Sequence, residues 1–220
     1  MNDTDDFEQG GANSGVSDAL TEADYTLALP PLVPAIINGV QSSIANLPPF
    51  ITNGPVHLSE IDKDTTLAPN TLYVVDEVAD LGSNRTISDI AIVAGKEVKV
   101  GSNVNLSNVV FASPDKVLLG SNNNVGAPGF CSSGFFNVYL FSLSDIEFGS
   151  NNNLRGVQIG GQGMLKLGSD VAGIEGIFAE VTGLIDYGSA DTWTSCSGGL
   201  DSYFELPIIP NGLGPLALVQ

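Results

Sequence analysis

The chain has 220 residues, with 25 Asp plus Glu against 7 Lys plus Arg and a formal net charge of −18 at pH 7. That balance makes nucleic acid and anionic membrane surfaces poor partners, since both would repel the chain, and no apolar run reaches the roughly 18 residues that span a bilayer. A hydrophobic content of 43% and this length fit one domain plus an arm, and no basic segment of signal-peptide type opens the chain. Residues 1–24 carry Asp3, Asp5, Asp6, Glu8, Asp18, Glu22 and Asp24 with no basic residue, and read as an acidic, flexible arm. The cluster "DTDDFE" lacks the Gly turn and the distant Glu of a calcium loop.

Residues 25–70 form a capping region, of which 25–49 is apolar and bounded by prolines. Pro34 suits the first turn of a helix. Ile36, Ile37, Val40, Ile44 and Leu47 then fall at helical spacing, which predicts a short helix with an apolar stripe that needs the open end or a flank of another element. His57, the single histidine, lies in this region with no partner for a catalytic triad or a zinc site, and reads as a surface or strand residue.

From residue 71 to 196 a repeat governs. Gly-Ser doublets begin at Gly82, Gly101, Gly120, Gly149, Gly168 and Gly188, at intervals of 19, 19, 29, 19 and 20. A fixed period near twenty means stacked supersecondary units. One and three residues before each Gly stand apolar residues such as Val98 and Val100, Val117 and Leu119, and Ile146 and Phe148, which is the alternation of a half-buried strand. Val100, Leu119, Phe148, Leu167 and Tyr187 are predicted to stack as one inward column. Further apolar residues recur five, eight and ten positions after the Gly. The fold class is all-β: a single-stranded, right-handed parallel β-helix of about six coils, with residues 197–220 as a Pro/Gly-rich C-terminal cap. Gly fits a corner through its backbone freedom. Asn84, Asn103, Asn122, Asn151 and Asp170, two positions later, suit the left-handed region and a stacked ladder.

Charges on the coils also admit a bland reading. Asp80, Lys99, Glu147, Lys166 and Asp186 share one column, and Glu97, Lys116 and Asp145 share another. Signs tend to alternate between coils, as expected for solvent-facing ion pairs between neighbouring strands. Asp145, Glu147 and Lys166 are the candidates for a glycosidase-type cluster, with Arg155 the one arginine of this half. Tyr187 and Trp193 read as closing the end of the stack, with sugar stacking as the rival. No catalytic residue, cofactor or metal site is assigned. The one long interval holds Cys131, and Cys196 lies where the last coil ends. Both sit in Ser/Gly-rich loops, so a disulfide carried by the insertion, and hence an oxidising compartment, is favoured over idle thiols.

The phrases "VKVGSNVNLSNVVFAS", "IEFGSNNNLRGVQIGGQG" and "LKLGSDVAGIEGIFAEVTG" resemble the coils of exported Gly-Ser-Asn-repeat β-helix proteins encoded with alphaproteobacterial Tad (Flp-type) pilus systems. The resemblance spans about Gly82–Cys196. It implies an extracellular or cell-surface, non-enzymatic structural or adhesive protein that meets other surface or pilus proteins or its own copies, and it offers no catalytic residue to carry over. A carbohydrate-active enzyme and a self-polymerising filament are the rival readings.

Overall fold

Period-two alternation and a Gly-Ser corner every 19 residues leave the chain one economical way to bury its apolar residues, which is to coil. The computed structural model describes residues 47–133 and 136–193. Among these residues the strands are β1 (Asn53–Leu58), β2 (Thr71–Val75), β3 (Ala79–Asp80), β4 (Thr86–Ala94), β5 (Glu97–Val100), β6 (Asn105–Ser113), β7 (Lys116–Leu119), β8 (Asn124–Gly126), β9 (Val138–Ser142), β10 (Asp145–Phe148), β11 (Asn153–Gly161), β12 (Leu165–Lys166), β13 (Ala172–Val181), β14 (Ile185–Asp186) and β15 (Thr192–Trp193), with a short helix, α1 (Phe130–Ser133). A long sheet runs β1-β2-β4-β6-β8-β11-β13-β15, with β9 between β6 and β11, and a short sheet runs β3-β5-β7-β10-β12-β14. Every pairing is parallel and joins equivalent positions of successive coils, as in Ile87↔Leu106 and Val98↔Val117. The molecule is a parallel β-solenoid of about seven turns.

The seventh turn precedes Thr71. β1 pairs with β2, and Ile61 bridges Ala79, so part of the predicted capping region is itself a coil. Its corner lacks Gly-Ser-Asn because Asp62 makes the turn: Asp62 Oδ1 accepts the Asp64 N–H (3.0 Å) and the Thr65 hydroxyl (2.8 Å). The acidic arm, the C-terminal cap and the predicted helix, apart from its last residue Leu47, lie outside the described residues. Leu47 is buried in a bend rather than a helix.

Two apolar layers result from the coiling. Inside the coils, Leu81, Val100, Leu119, Phe148 and Leu167 form the expected column, buried beside Ile92, Phe111, Leu140 and Ile159. Tyr187 does not join it and is 57% exposed. Its ring turns to meet Trp193 edge-on at 6.2 Å instead, and Leu184 and Ile185 beside it are exposed too. Trp193 lies over Gly173 of β13, where a side chain on Gly173 would collide with the indole. The second layer is on the outer face of the long sheet, where Leu72, Val74, Ala91, Val93, Val110, Ala112 and Phe141 point away from the lumen yet are buried, packed with Leu47 and Ile51.

The insertion leaves the stack where the register places it. Leu106 pairs with Val125 and Val109 with Val138, so three residues of one coil answer to thirteen of the next. The excursion passes β11 and lands on β13. Glu175 there accepts the N–H groups of Gly129 (2.6 Å) and Phe130 (3.2 Å) at the start of α1. The Phe130 ring fills the space over Gly176, and Phe136 stacks between Phe130 (4.8 Å) and Phe178 (6.5 Å). Cys131 sits on α1, while Cys196 lies outside the described residues.

At the corner glycines successive coils meet backbone to backbone with no room for a side chain. A Cβ on Gly120 would stand 2.8 Å from the backbone carbonyl of Gly101, whereas on Gly161 its nearest neighbour is a Val181 methyl at 3.3 Å. Gly120→Ala is expected to cost about 1–3 kcal/mol through overpacking and Gly161→Ala well under that. Urea-unfolding midpoints of the two variants check this, and equal midpoints would remove the corner contact from the account.

Candidate functional site

The Gly-Ser-Asn corner is the most repeated chemical feature of the molecule, and each of its five letters has a separate task. Gly is needed for close approach more than for backbone angle. Among the corner glycines only Gly82 has a left-handed φ (+67°), but a Cβ on Gly149 would lie 2.8 Å from the Gly120 carbonyl carbon. The Ser hydroxyl oxygen accepts the N–H of the next coil's Ser: Ser102 to Ser83 at 3.0 Å, Ser121 to Ser102 at 3.0 Å and Ser150 to Ser121 at 3.1 Å.

The first Asn makes the left-handed turn. Asn84, Asn103, Asn122, Asn151 and Asp170 have φ of 56°, 58°, 59°, 59° and 59°, and Ala190 follows at 62°. Asn and Asp tolerate this region because their short polar side chains bond locally. The backbone N–H of each donates to the Ser carbonyl of the following coil, as in Asn103 to Ser121 at 3.0 Å and Asn122 to Ser150 at 2.9 Å. A side-chain rung joins Asn103 to Asn84 at 3.0 Å. So one rung of the predicted amide ladder is present at these positions, and the other coil-to-coil links here are made by backbone.

The fuller amide ladders stand one and two residues further on, where sequence reasoning did not look. Asn123 and Asn152 are wholly buried. Asn123 Oδ1 accepts the Val104 N–H and Asn152 Oδ1 the Asn123 N–H, both at 2.8 Å, while their amide groups donate to the carbonyls of Gly120 and Gly149. In the last coil Asp191 takes this role for the Val171 N–H (2.9 Å). The third letter, exposed, links Asn124 to Asn105 (2.8 Å) and Asn153 to Asn124 (3.2 Å). The missed signal was parity: Arg85, Val104, Asn123, Asn152, Val171 and Asp191 occupy an inward position, and an inward Asn must bond something.

A second corner, also unforeseen, recurs along the stack, at intervals of 19, 19, 48 and 20 residues. Asn70, Asp89, Asn108, Gly156 and Gly176 all have left-handed φ, and Asn108 donates to Asp89 at 2.9 Å. Its letters vary among Asn, Asp and Gly, so no fixed phrase marks it.

Beside the first corner a shallow groove of about 870 Å³ follows Gly82, Gly101, Gly120, Gly149 and Gly168, rimmed by Asp80, Lys99, Glu147 and Lys166. The acids near it are occupied. Asp80 accepts the Gly82 N–H (2.9 Å), Glu97 meets Lys99 (3.2 Å), Asp145 accepts the Met164 N–H (2.8 Å), and Glu147 holds Lys116 (2.9 Å). The last pairing corrects the straight charge columns. Asp145 stands opposite Lys116 in register, but its carboxylate is taken by backbone, so Lys116 reaches diagonally to Glu147, which raises the lysine's pKa. Lys96 pairs with Glu77 at another corner. Arg155 lies between Gly126 and Glu175 in register, on the long sheet and away from this groove. His57 is exposed on β1. Among the described residues no three His, Cys, Asp or Glu side chains converge to hold a metal ion.

Two groups on the outer face of the long sheet have shifted acidities. Burial lifts the Tyr139 phenol to about 12, and burial lifts the Glu180 carboxyl to about 7.

No family model matches the chain, and comparison with curated proteins and with solved structures finds no match.

The ladders differ in what their loss exposes. Asn123→Ala strands the buried Val104 N–H, an expected loss of about 1–3 kcal/mol. Asn124→Ala removes only an exposed rung, an expected loss below about 1 kcal/mol. Denaturant titration of the two variants measures the difference, and a larger loss for Asn124→Ala would reverse the assignment of roles.

Proposed function

We propose that this chain is a non-enzymatic structural or adhesive protein of the cell surface, working within a pilus or other surface assembly. The observation that carries the reading is how the polar chemistry is spent. The Ser side chains of the corner bond the next coil and the Asn and Asp side chains the preceding one, and the acids beside the groove bond backbone or lysine. Hydrolysis needs a carboxyl pair free to hold a proton and a nucleophile or water, and a site spent on holding coils together suits a rigid spacer. The resemblance to Gly-Ser-Asn-repeat proteins of Tad pilus systems points the same way, with other surface or pilus proteins as partners.

Export rests on a proposed disulfide between Cys131 and Cys196. Its support is geometric. The insertion carries α1 forward onto β13, and β13 leads through β14 and β15 towards Cys196. The bond would close a chain loop of 65 residues, which stabilises by roughly 4 kcal/mol on the chain-entropy argument. A self-polymerising filament is the second reading, favoured by the exposed Leu184 and Tyr187 of the last described coil.

Purified full-length chain from an oxidising compartment tests both parts. Thiol labelling under denaturing, non-reducing conditions is expected to modify no cysteine, and acidic and neutral polysaccharides are expected to survive incubation. Two labelled thiols would withdraw the argument for export. Turnover abolished by Glu147→Ala or Asp145→Ala would make the protein an enzyme, and end-to-end fibres in negative stain would establish the filament.

A further inference from the structure

The outer face of the long sheet is built like an interior. From β2 to β9 its outward residues are Leu72 and Val74, Ala91 and Val93, Val110 and Ala112, then Tyr139 and Phe141. A strand with one solvated face alternates apolar and polar residues; these strands are apolar on both faces, the pattern of strands covered on both sides. Val93 and Ala112 have 0% exposure, and Phe141 only 4%. The first charged side chain along this lane is Glu180, at its far end on β13 beyond Gln158 and Phe178.

The described cover sits at one end. Phe50 is tied down where its carbonyl accepts the Asn70 side-chain N–H (2.7 Å), immediately before β2, and Leu47, Phe50 and Ile51 pack on the face from there. The chain preceding Leu47 is therefore delivered to the β2 end of the lane. From Tyr25 through Val56 it contains no charged residue in a protein with 32 of them (25 acidic plus 7 basic). An uncharged segment suits this face, because any charge placed on it would be desolvated without a partner.

We propose that residues 29–46 of the same chain are the occupant of this face, lying across it as an apolar strap continuous with Leu47. The dimensions agree. The lane from β2 to β11 crosses four strand spacings, about 19 Å. As a helix, Ile36 to Asn46 rises ten residue steps, about 15 Å, with Ile36, Ile37, Val40 and Ile44 on one stripe and the bend at Leu47 completing the crossing. The inference is independent of the functional proposal. It removes the outer long-sheet face from the surfaces that meet partners, leaving the Ser-Asn corner and its groove for them.

The test places a photo-crosslinking p-benzoylphenylalanine at position 139 of the full-length chain, an aromatic exchange for Tyr139 midway along the lane. Irradiation, proteolysis and mass spectrometry then identify the peptide captured. The expected product is an intramolecular crosslink to residues 29–46. Capture of residues 194–220, a crosslinked dimer, or no crosslink in folded protein each overturns the proposal. Because the probe itself can perturb packing, a double-mutant cycle supplies a second reading. Val110→Ala combined with Val40→Ala is expected to shift the urea midpoint by less than the sum of the two single shifts, and strict additivity counts against contact.

Discussion

The stack depends on one close approach, the α-carbon of a corner glycine against the backbone carbonyl of the corner glycine in the coil before it. At Gly120 and Gly149 a single added carbon would stand 2.8 Å from that backbone. Parallel strands tolerate little departure from a spacing of about 4.8 Å, so a side chain here would wedge coils apart along the whole short sheet. With the contact repeated every 19 residues the phase of each coil is fixed. Val98 then falls on Val117, Ile87 on Leu106, and every later inward residue on its counterpart. A register slip of one residue would turn the apolar positions outward, and the glycine column opposes it.

The remaining letters of the corner follow from that approach. Bringing backbones together at a turn creates polar groups that ordinary loops would give to water. Here the Ser oxygens, the left-handed Asn N–H groups and the buried amides of Asn123 and Asn152 supply partners from the neighbouring coil. Buried polar groups stabilise only when fully satisfied, and such networks specify one arrangement. Where the corner lacks Asn, as at Val104, the N–H is still met by the amide of the following coil. At the β1 edge of the long sheet, Pro55 has no N–H to offer a further strand.

Much of this was legible because the repeat is written in residue types with narrow physical uses. Period-two alternation before each glycine located the short sheet, and the ten extra residues around Cys131 marked the excursion that docks on β13. What escaped reading was degenerate or borrowed. The second corner accepts Asn, Asp or Gly, so its period is invisible as a phrase. The first coil turns on Asp62 and Thr65 instead of Gly-Ser. Tyr187 occupies an inward register but pairs with Trp193 rather than joining the column. Among functional candidates, Asp145 and Glu147 looked alike in sequence; only the backbone N–H of Met164 distinguishes them, by taking one carboxylate and leaving Lys116 to the other.

If coil-to-coil bonding at the corner is what holds the molecule together, residues that look like loop must behave like core. Amide hydrogen exchange resolved by residue measures this directly. The N–H groups of Asn103, Asn122 and Asn151, each bonded to a Ser carbonyl of the next coil at 2.9–3.0 Å, are expected to exchange as slowly as that of Val109 in the middle of β6, through unfolding of the whole stack. Exchange of those three at rates typical of exposed turns, with Val109 still protected, would contradict the account.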